Sequence, residues 1–134
     1  MANALYAKGK EGLLDGTYDW SSSTIKAVLV TSGYTVNLAT DEFLSDIPGG
    51  AIVATSPAFT SKTQTGGVAN AANATFSAVT GPTAAYIVIY EDTGSSATSR
   101  LLAYIDTATG LPVTPNGGSI TITWDTGANR IFAL

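Results

Sequence analysis

Apolar and polar positions alternate with a period of two in many short runs along this chain. The first run, TIKAVLVT, places Ile25, Ala27 and Leu29 on one face and Val28 and Val30 on the other. Seven further runs have the same character and are separated by Gly, Pro, Asn and Ser clusters: AIVAT, AFTSKTQT, ATFSAV, AAYIVIY, RLLAYID, SITITW and NRIFAL. A period of two between turn residues is typical of β-strands, so we predict eight short strands.

Two of these runs also indicate where their strands lie. The run from Tyr86 to Tyr90 is apolar on both faces, which is typical of a central strand. In SITITW, the apolar residues Ile120, Ile122 and Trp124 alternate with threonines, which is typical of a strand with one solvated face. Short strands at this spacing predict an all-β fold, a two-sheet, jelly-roll-like sandwich.

The chain begins with its best helical pattern, which spans Asn3 to Asp15 and is followed by Gly16, a suitable cap. Its large apolar side chains lie near one face: Leu5, Tyr6, Leu13 and Leu14. The interior glycines at positions 9 and 12 each cost about 1 kcal/mol relative to alanine, so the segment needs a surface to pack against. We therefore predict a short N-terminal helix or arm over residues 1–16 and a single β-sandwich domain over residues 17–134.

A second, shorter helical pattern begins at Thr40, the expected N-cap, and stops at Pro48-Gly49-Gly50. Asp41 and Glu42 fall in its first turn, where the helix dipole favours anions. With Asp46 they form an acidic cluster that a calcium ion could use. The spacing lacks the alternating oxygens and terminal Glu of an EF-hand loop, so we predict no metal site.

Composition narrows the chemistry further. The chain has no histidine and no cysteine, which removes the usual bases, thiolates and zinc ligands. Charged residues make up 12%, the net charge is −4, and the few cations are scattered, which argues against nucleic-acid binding. We find neither an apolar run of about eighteen residues nor a signal-peptide core, so no membrane association is expected. We predict no enzymatic activity, no catalytic residues and no cofactor.

The tripeptide Asp-Thr-Gly occurs twice, at Asp92 and at Asp125, and aspartic proteases carry it twice at strand ends. A proteolytic dyad needs two such loops in similar lobes, but the two copies are close in sequence and nine residues follow Asp125. Turn chemistry explains the pattern, since Asp accepts amide hydrogen bonds and Gly adopts a positive φ. We predict that both aspartates are structural, as in the similar DTATG at Asp106 to Gly110.

Aromatic residues offer one alternative function. Trp20, Trp124 and the six tyrosines could line a face that stacks on sugars, as aromatic rings do in many sandwich modules. Aromatic residues more commonly pack in the core or at its rim.

Several runs together resemble a family of small virion proteins of tailed bacteriophages: NALYAKGKEGLLDG, STIKAVLV, NLATDEFLSDIP and LLAYIDTATGLPVTPNGGSITITWDTGANRIFAL. The resemblance extends over nearly the whole chain. The segment from Pro57 to Thr83, rich in Ala, Thr and Gly, departs most from it.

The resemblance implies a structural protein without catalytic motifs, of the head decoration or cement type. The expected partners are the major capsid protein and further copies of the chain, in a dimer or trimer, with Leu5, Tyr6, Leu13 and Leu14 contributing to a subunit or capsid contact. The expected location is the capsid surface, after a soluble stage in the host cytoplasm. The alternative is a tail- or fibre-associated module that recognises carbohydrate on the host surface.

Overall fold

Nine strands and one α-helix make up the part of the chain that the computed structural model describes, residues 4–17, 19–106, 108, 111–124 and 130–133. In chain order these are β1 (Ala4–Leu5), α1 (Ala7–Asp15), β2 (Ile25–Val30), β3 (Ile52–Thr55), β4 (Val68–Ala69), β5 (Ala74–Phe76), β6 (Tyr86–Glu91), β7 (Leu101–Ile105), β8 (Ile120–Ile122) and β9 (Phe132–Ala133). Short 3₁₀ turns lie at Leu44–Asp46, Gly49–Ala51 and Thr65–Gly67.

The main sheet has five antiparallel strands in the order β1-β7-β6-β2-β3. Strands β2 and β6 pair over their full length, from Ile25 opposite Glu91 to Val30 opposite Tyr86. This pairing puts the run from Tyr86 to Tyr90 in the middle of the sheet, as its two apolar faces predict. The prediction of a mainly-β protein is confirmed.

One face of the main sheet packs against two short ladders, β4–β9 and β5–β8. Ile25, Ala27 and Leu29 point into this core together with Ile87 and Ile89. Across from them lie Phe76, Ile122, Trp20 and Trp124. Ile120, Ile122 and Trp124 are buried whereas Thr121 is exposed, which confirms the one-sided pattern predicted for β8.

The opposite face of the main sheet is also buried, and its core is rich in tyrosine. Val28 and Val30 point to this side, as the alternation in β2 predicts. The segment between β2 and β3 crosses the face and contributes Tyr34, Ile47 and Ala51. The rings of Tyr86 and Tyr104 pack with their centroids 5.0 Å apart. The main sheet is therefore a middle layer with a core on each side.

The predicted strand AFTSKTQT does not form, and the two-residue strand β4 was not predicted. The amide of Phe59 donates to the carbonyl of Ile25 at 2.7 Å, and the carbonyl of Thr60 accepts from Ala72 at 3.0 Å. Ser61 then adopts a φ of 53°, which interrupts the extended backbone. Because the segment bonds to different neighbours on either side of this bend, it cannot form one regular ladder.

The helical predictions need two corrections. Helix α1 begins at Ala7 rather than Asn3, because residues 4 and 5 pair with β7 as a strand. Thr40 is not a helix N-cap: the 3₁₀ turn begins at Leu44, and the carboxylate of Asp46 accepts the backbone amides of residues 42 and 43 at 2.8 and 2.9 Å. The predicted cap at Gly16 is confirmed by its left-handed φ of 78°.

The segment predicted as an arm covers the outer edge of β7. Ala4 and Leu5 pair with Tyr104 and Ala103, and the amide of Tyr6 donates to the carbonyl of Leu102 at 2.9 Å. Further along the same edge, residues 42 and 44 exchange backbone hydrogen bonds with residues 101 and 99. Covering an edge strand in this way prevents it from pairing with another chain.

Gly9 explains how α1 can lie so close to β7. A Cβ atom at this position would stand 2.7 Å from the carbonyl oxygen of Leu101 and 2.9 Å from the Cα of Leu102. Both are backbone atoms, which cannot rotate away as a side chain does. Gly9 and Gly12 are the buried residues of the helix, so the helix packs through its glycines.

We expect Gly9→Ala to destabilise the protein by about 1–3 kcal/mol, through the overpacking that the added methyl group causes. Helix propensity alone predicts the opposite sign, a gain of about 1 kcal/mol. Chemical denaturation of the two proteins measures the difference in the free energy of unfolding.

Gly49→Ala is the control, because no atom from another part of the chain lies within 4 Å of the Cβ position there. It should change stability by less than about 1 kcal/mol. A Gly9→Ala protein as stable as the wild type would show that α1 does not approach β7 this closely.

Candidate functional site

The four residues predicted to contact a partner lie in different environments. Tyr6 is 0% exposed and belongs to the tyrosine-rich core, while Leu5 and Leu13 are half-buried against the opposite core. Leu14 is 85% exposed, the one large apolar side chain in the described ranges that projects into solvent. Tyr6 thus packs within the chain's own fold, and Leu14 is the most exposed of the four. A partner contact through these residues stays a prediction.

A hydrogen-bond network that runs from the core to the surface joins the N-terminal segment to the segment that follows β2. The hydroxyl groups of Tyr6 and Tyr34 lie 2.9 Å apart, and Tyr34 donates to Oδ2 of Asp41 at 2.6 Å. The same carboxylate oxygen accepts the backbone amide of Asn37 at 3.0 Å. The amide of Ala7 also donates to the carbonyl of Leu38 at 2.8 Å. We call Tyr6, Tyr34 and Asp41 the tyrosine clamp.

The sequence pattern did not identify the tyrosine clamp. Tyr6 and Tyr34 are separated by 28 positions, and Tyr34 lies outside every periodic run. We predicted that Asp41 lies in the first turn of a helix. Its carboxylate instead accepts a hydrogen bond from the hydroxyl group of Tyr34. Sequence spacing cannot predict this contact, because the path of the strand and turns between the two tyrosines brings them together.

Burial raises the pKa of the tyrosines on this side of the sheet. For Tyr34, burial acts first, and the hydrogen bonds to Asp41 and Tyr6 raise the pKa further. Burial likewise raises the pKa of Tyr6 and of Tyr104. The pKa of Tyr90 is raised to about 12, by burial and secondarily by the charge of Asp92. In the folded protein these hydroxyl groups therefore keep their protons to a higher pH than an exposed tyrosine does.

The acidic cluster does not converge on one point. Asp41 belongs to the tyrosine clamp, Asp46 caps the 3₁₀ turn, and Glu42 pairs with Arg100 at 3.1 Å. The guanidinium of Arg100 also lies over the ring of Phe43, 5.6 Å from its centroid. In the described ranges, no group of three or more acidic side chains is arranged to hold a metal ion.

Asp92 forms a turn, as predicted for the first Asp-Thr-Gly sequence. Its Oδ1 accepts the amide of Gly94 at 3.0 Å, and Gly94 has a φ of 92°. Its Oδ2 pairs with Lys26 at 2.8 Å, and this contact, followed by the Gly94 bond, lowers the pKa of Asp92. The second sequence, at Asp125, lies outside the described residues, as do Thr107, Thr109 and Gly110 of the DTATG stretch.

The two tryptophans are core residues rather than a sugar-binding platform. Trp20 and Trp124 are 6% and 4% exposed, and both pack against Phe59. Their indole N–H groups donate to the carbonyls of Asn70 and Ala72 at 3.3 and 3.0 Å. Both rings are too buried in this fold to stack on a sugar.

The strongest candidate contact is thus the exposed end of α1, held in place by β1, Gly9 and the tyrosine clamp. None of the helices in the described residues has both the length and the apolar character needed to cross a membrane. Comparison of the sequence with known protein families, and with curated proteins, finds no match.

We expect Tyr34→Phe to lower the free energy of unfolding by about 1–3 kcal/mol, because it leaves buried groups of Tyr6 and Asp41 without their hydrogen-bond partner. The double variant Tyr6→Phe/Tyr34→Phe should lose less than the sum of the single variants, since both remove the same hydrogen bond. Urea denaturation of the wild type, the two single variants and the double variant measures this double-mutant cycle.

Thr75→Val is the control, because it removes an exposed hydroxyl group that lies 3.3 Å from that of Thr121. Its effect should stay within about 0.5 kcal/mol. Strict additivity of the two tyrosine variants would contradict a direct bond between them.

Stability should also fall at alkaline pH. The unfolded pKa of tyrosine is about 10, and the folded pKa values of Tyr6, Tyr34, Tyr90 and Tyr104 are raised. Above about pH 10 the unfolded chain releases protons that the folded protein keeps. The contribution of these tyrosines to the free energy of unfolding is therefore fully present below about pH 10 and is lost as the pH rises through the folded pKa values. Unfolding midpoints between about pH 8 and pH 12 measure the effect. A flat profile across that range would contradict the burial of these hydroxyl groups.

Proposed function

We propose that this chain is a structural protein of a tailed-bacteriophage virion, a decoration or cement protein that binds the outside of the assembled head. The observation that carries the proposal is the exposed Leu14 on a helix fixed to the sheet edge. A rigid apolar protrusion loses little conformational entropy on docking, so even a small contact contributes to affinity.

The surface chemistry supports this proposal. Charged residues are only 12% of the chain, and three of the described cations pair with acids of the same chain. A subunit with a mostly uncharged polar surface gains little from each contact and stays separate before assembly. Repetition over a lattice then raises occupancy through effective concentration rather than through a large interface.

The resemblance of the sequence runs to small phage virion proteins supports the same role. In this proposal the short ladders β4–β9 and β5–β8 form the second layer of a sandwich, and a jelly-roll-like strand order stays a prediction. The partners are the major capsid protein and further copies of the chain, as a dimer or trimer. The site is the α1 surface around Leu14.

Copy number tests the role directly. Quantitative mass spectrometry of purified particles from the phage that encodes this chain should find it in copies comparable to those of the major capsid protein. Electron microscopy should place it on the outer head surface. A handful of copies per particle, located on the tail, would contradict the proposal and favour the host-recognition alternative.

We expect Leu14→Asp to weaken binding to heads by at least about tenfold, the effect of losing more than about 1 kcal/mol at an apolar anchor. Its stability should stay within about 0.5 kcal/mol of wild type, because the side chain is exposed. Sedimentation with heads that lack the protein measures binding, and thermal melting measures stability.

Lys10→Gln is the control, since it changes an exposed residue of the same helix without removing an apolar side chain. It should bind heads as the wild type does. Full decoration by Leu14→Asp would show that the contact lies elsewhere on the protein.

A further inference from the structure

A polar depression lies beside the short β4–β9 ladder. Its volume is about 260 Å³. Among the residues that the structure describes, it is lined by Thr63, Thr65, Val68, Asn70 and Arg130. None of these residues belongs to α1, so a ligand in the depression would not use the contact proposed for the capsid.

Backbone hydrogen bonds fix both walls of the depression. Thr63 and Asn70 exchange two bonds, each of 2.9 Å, which close the turn between them. On the other side, the amide of Ile131 donates to the carbonyl of Ala69 at 3.1 Å, and Phe132 pairs with Ala69 in the ladder. Arg130 is therefore held next to the Thr63–Asn70 turn by the ladder rather than by a free loop.

Arg130 has an unusual backbone conformation and has no ionic partner among the described residues. Its φ of 46° lies in the left-handed region, where asparagine and glycine are more favourable than arginine. In the described part of the chain, Lys8, Lys26 and Arg100 each pair with an acid, and Lys62 donates to the carbonyl of Ser23. Arg130 and Lys10 form no ion pair with the described residues, and both are exposed. Of these two cations, Arg130 lines the depression. A left-handed backbone that presents a cation without an ionic partner among the described residues to a depression indicates a binding role.

We propose that this depression binds a sugar that carries a carboxylate, of the uronic-acid class. The guanidinium group of Arg130 can hold a carboxylate through two parallel hydrogen bonds. Thr63, Thr65 and Asn70 provide uncharged donors and acceptors that suit sugar hydroxyls. Val68 provides an apolar contact for the ring. The volume lies just below the roughly 300–1,000 Å³ of pockets for drug-sized ligands, which suits a single sugar ring.

An inorganic anion would use the guanidinium group alone and leave the hydroxyl and amide groups of the depression to water. The charge-bearing sugar uses both parts of the site, which is why we favour it. Because the depression is open and its described lining includes no aromatic ring, we expect a dissociation constant on the order of 1 mM.

Titration of the isotopically labelled protein with glucuronate, followed by amide chemical shifts, tests the proposal. The shifts should change in residues 63–70 and 130–133, and glucose and inorganic phosphate should each bind at least about tenfold more weakly. Arg130→Asn should abolish glucuronate binding or weaken it at least tenfold while the rest of the spectrum is preserved, since asparagine tolerates the left-handed φ.

Lys10→Gln removes one positive charge elsewhere and should leave glucuronate binding unchanged. Arg130→Lys should fall between wild type and Arg130→Asn, since it keeps the charge and loses the paired geometry. Unchanged binding by Arg130→Asn, shifts confined to other residues, or equal binding of glucose would each overturn the proposal. Phosphate binding as tight as that of glucuronate would overturn its sugar specificity and identify a simple anion site.

Discussion

A sheet that is apolar on both faces needs a covering layer on each side, and the rest of this structure follows from that requirement. Strands β2, β6 and β7 send buried side chains in both directions. The one α-helix in the described residues has only nine residues and lies along the edge of β7. Two short ladders therefore cover one face of the sheet, and the irregular segment between β2 and β3 covers the other. We call these two layers the covers.

Irregular covers bring polar groups to the border of the core, and each such group must be hydrogen-bonded there. The indoles of Trp20 and Trp124 donate to carbonyls of the turn that they cover. The hydroxyl groups of Tyr6 and Tyr34 lead to the carboxylate of Asp41 at the rim. Many of the aromatic residues that could suggest a binding platform thus hold the covering layers in place.

Candidate binding features lie where the covers end. Leu14 follows the glycine-rich part of α1 that packs on β7, so the end of the helix projects while its middle is buried. Arg130 precedes β9, at the end of a ladder only two residues long. In both places a rigid backbone presents an exposed side chain, and the buried sheet supplies the rigidity. Positioning by a scaffold in this way is how small folds build contacts without a deep cleft.

The local structure of the most regular strands and turns could be predicted from the amino-acid pattern. Alternation predicted the two faces of β2 and the buried side of β8, because side chains of a strand alternate by geometry. Apolar residues on both faces predicted the central place of β6. The Asp92 turn and the cap at Gly16 also followed from local backbone chemistry. These features depend on neighbours within a few positions, which the sequence displays directly.

The order of the strands and the contacts of isolated residues depend on the tertiary structure. The glycines of α1 indicated a weak helix, yet they allow its closest packing, because their effect depends on the backbone of β7. The same holds for the Tyr6–Tyr34 contact, the loss of the strand at residues 58–65, and the depression around Arg130. Each of these features depends on residues that are far apart in sequence. The packing of the whole sheet, rather than a local pattern, brings those residues together.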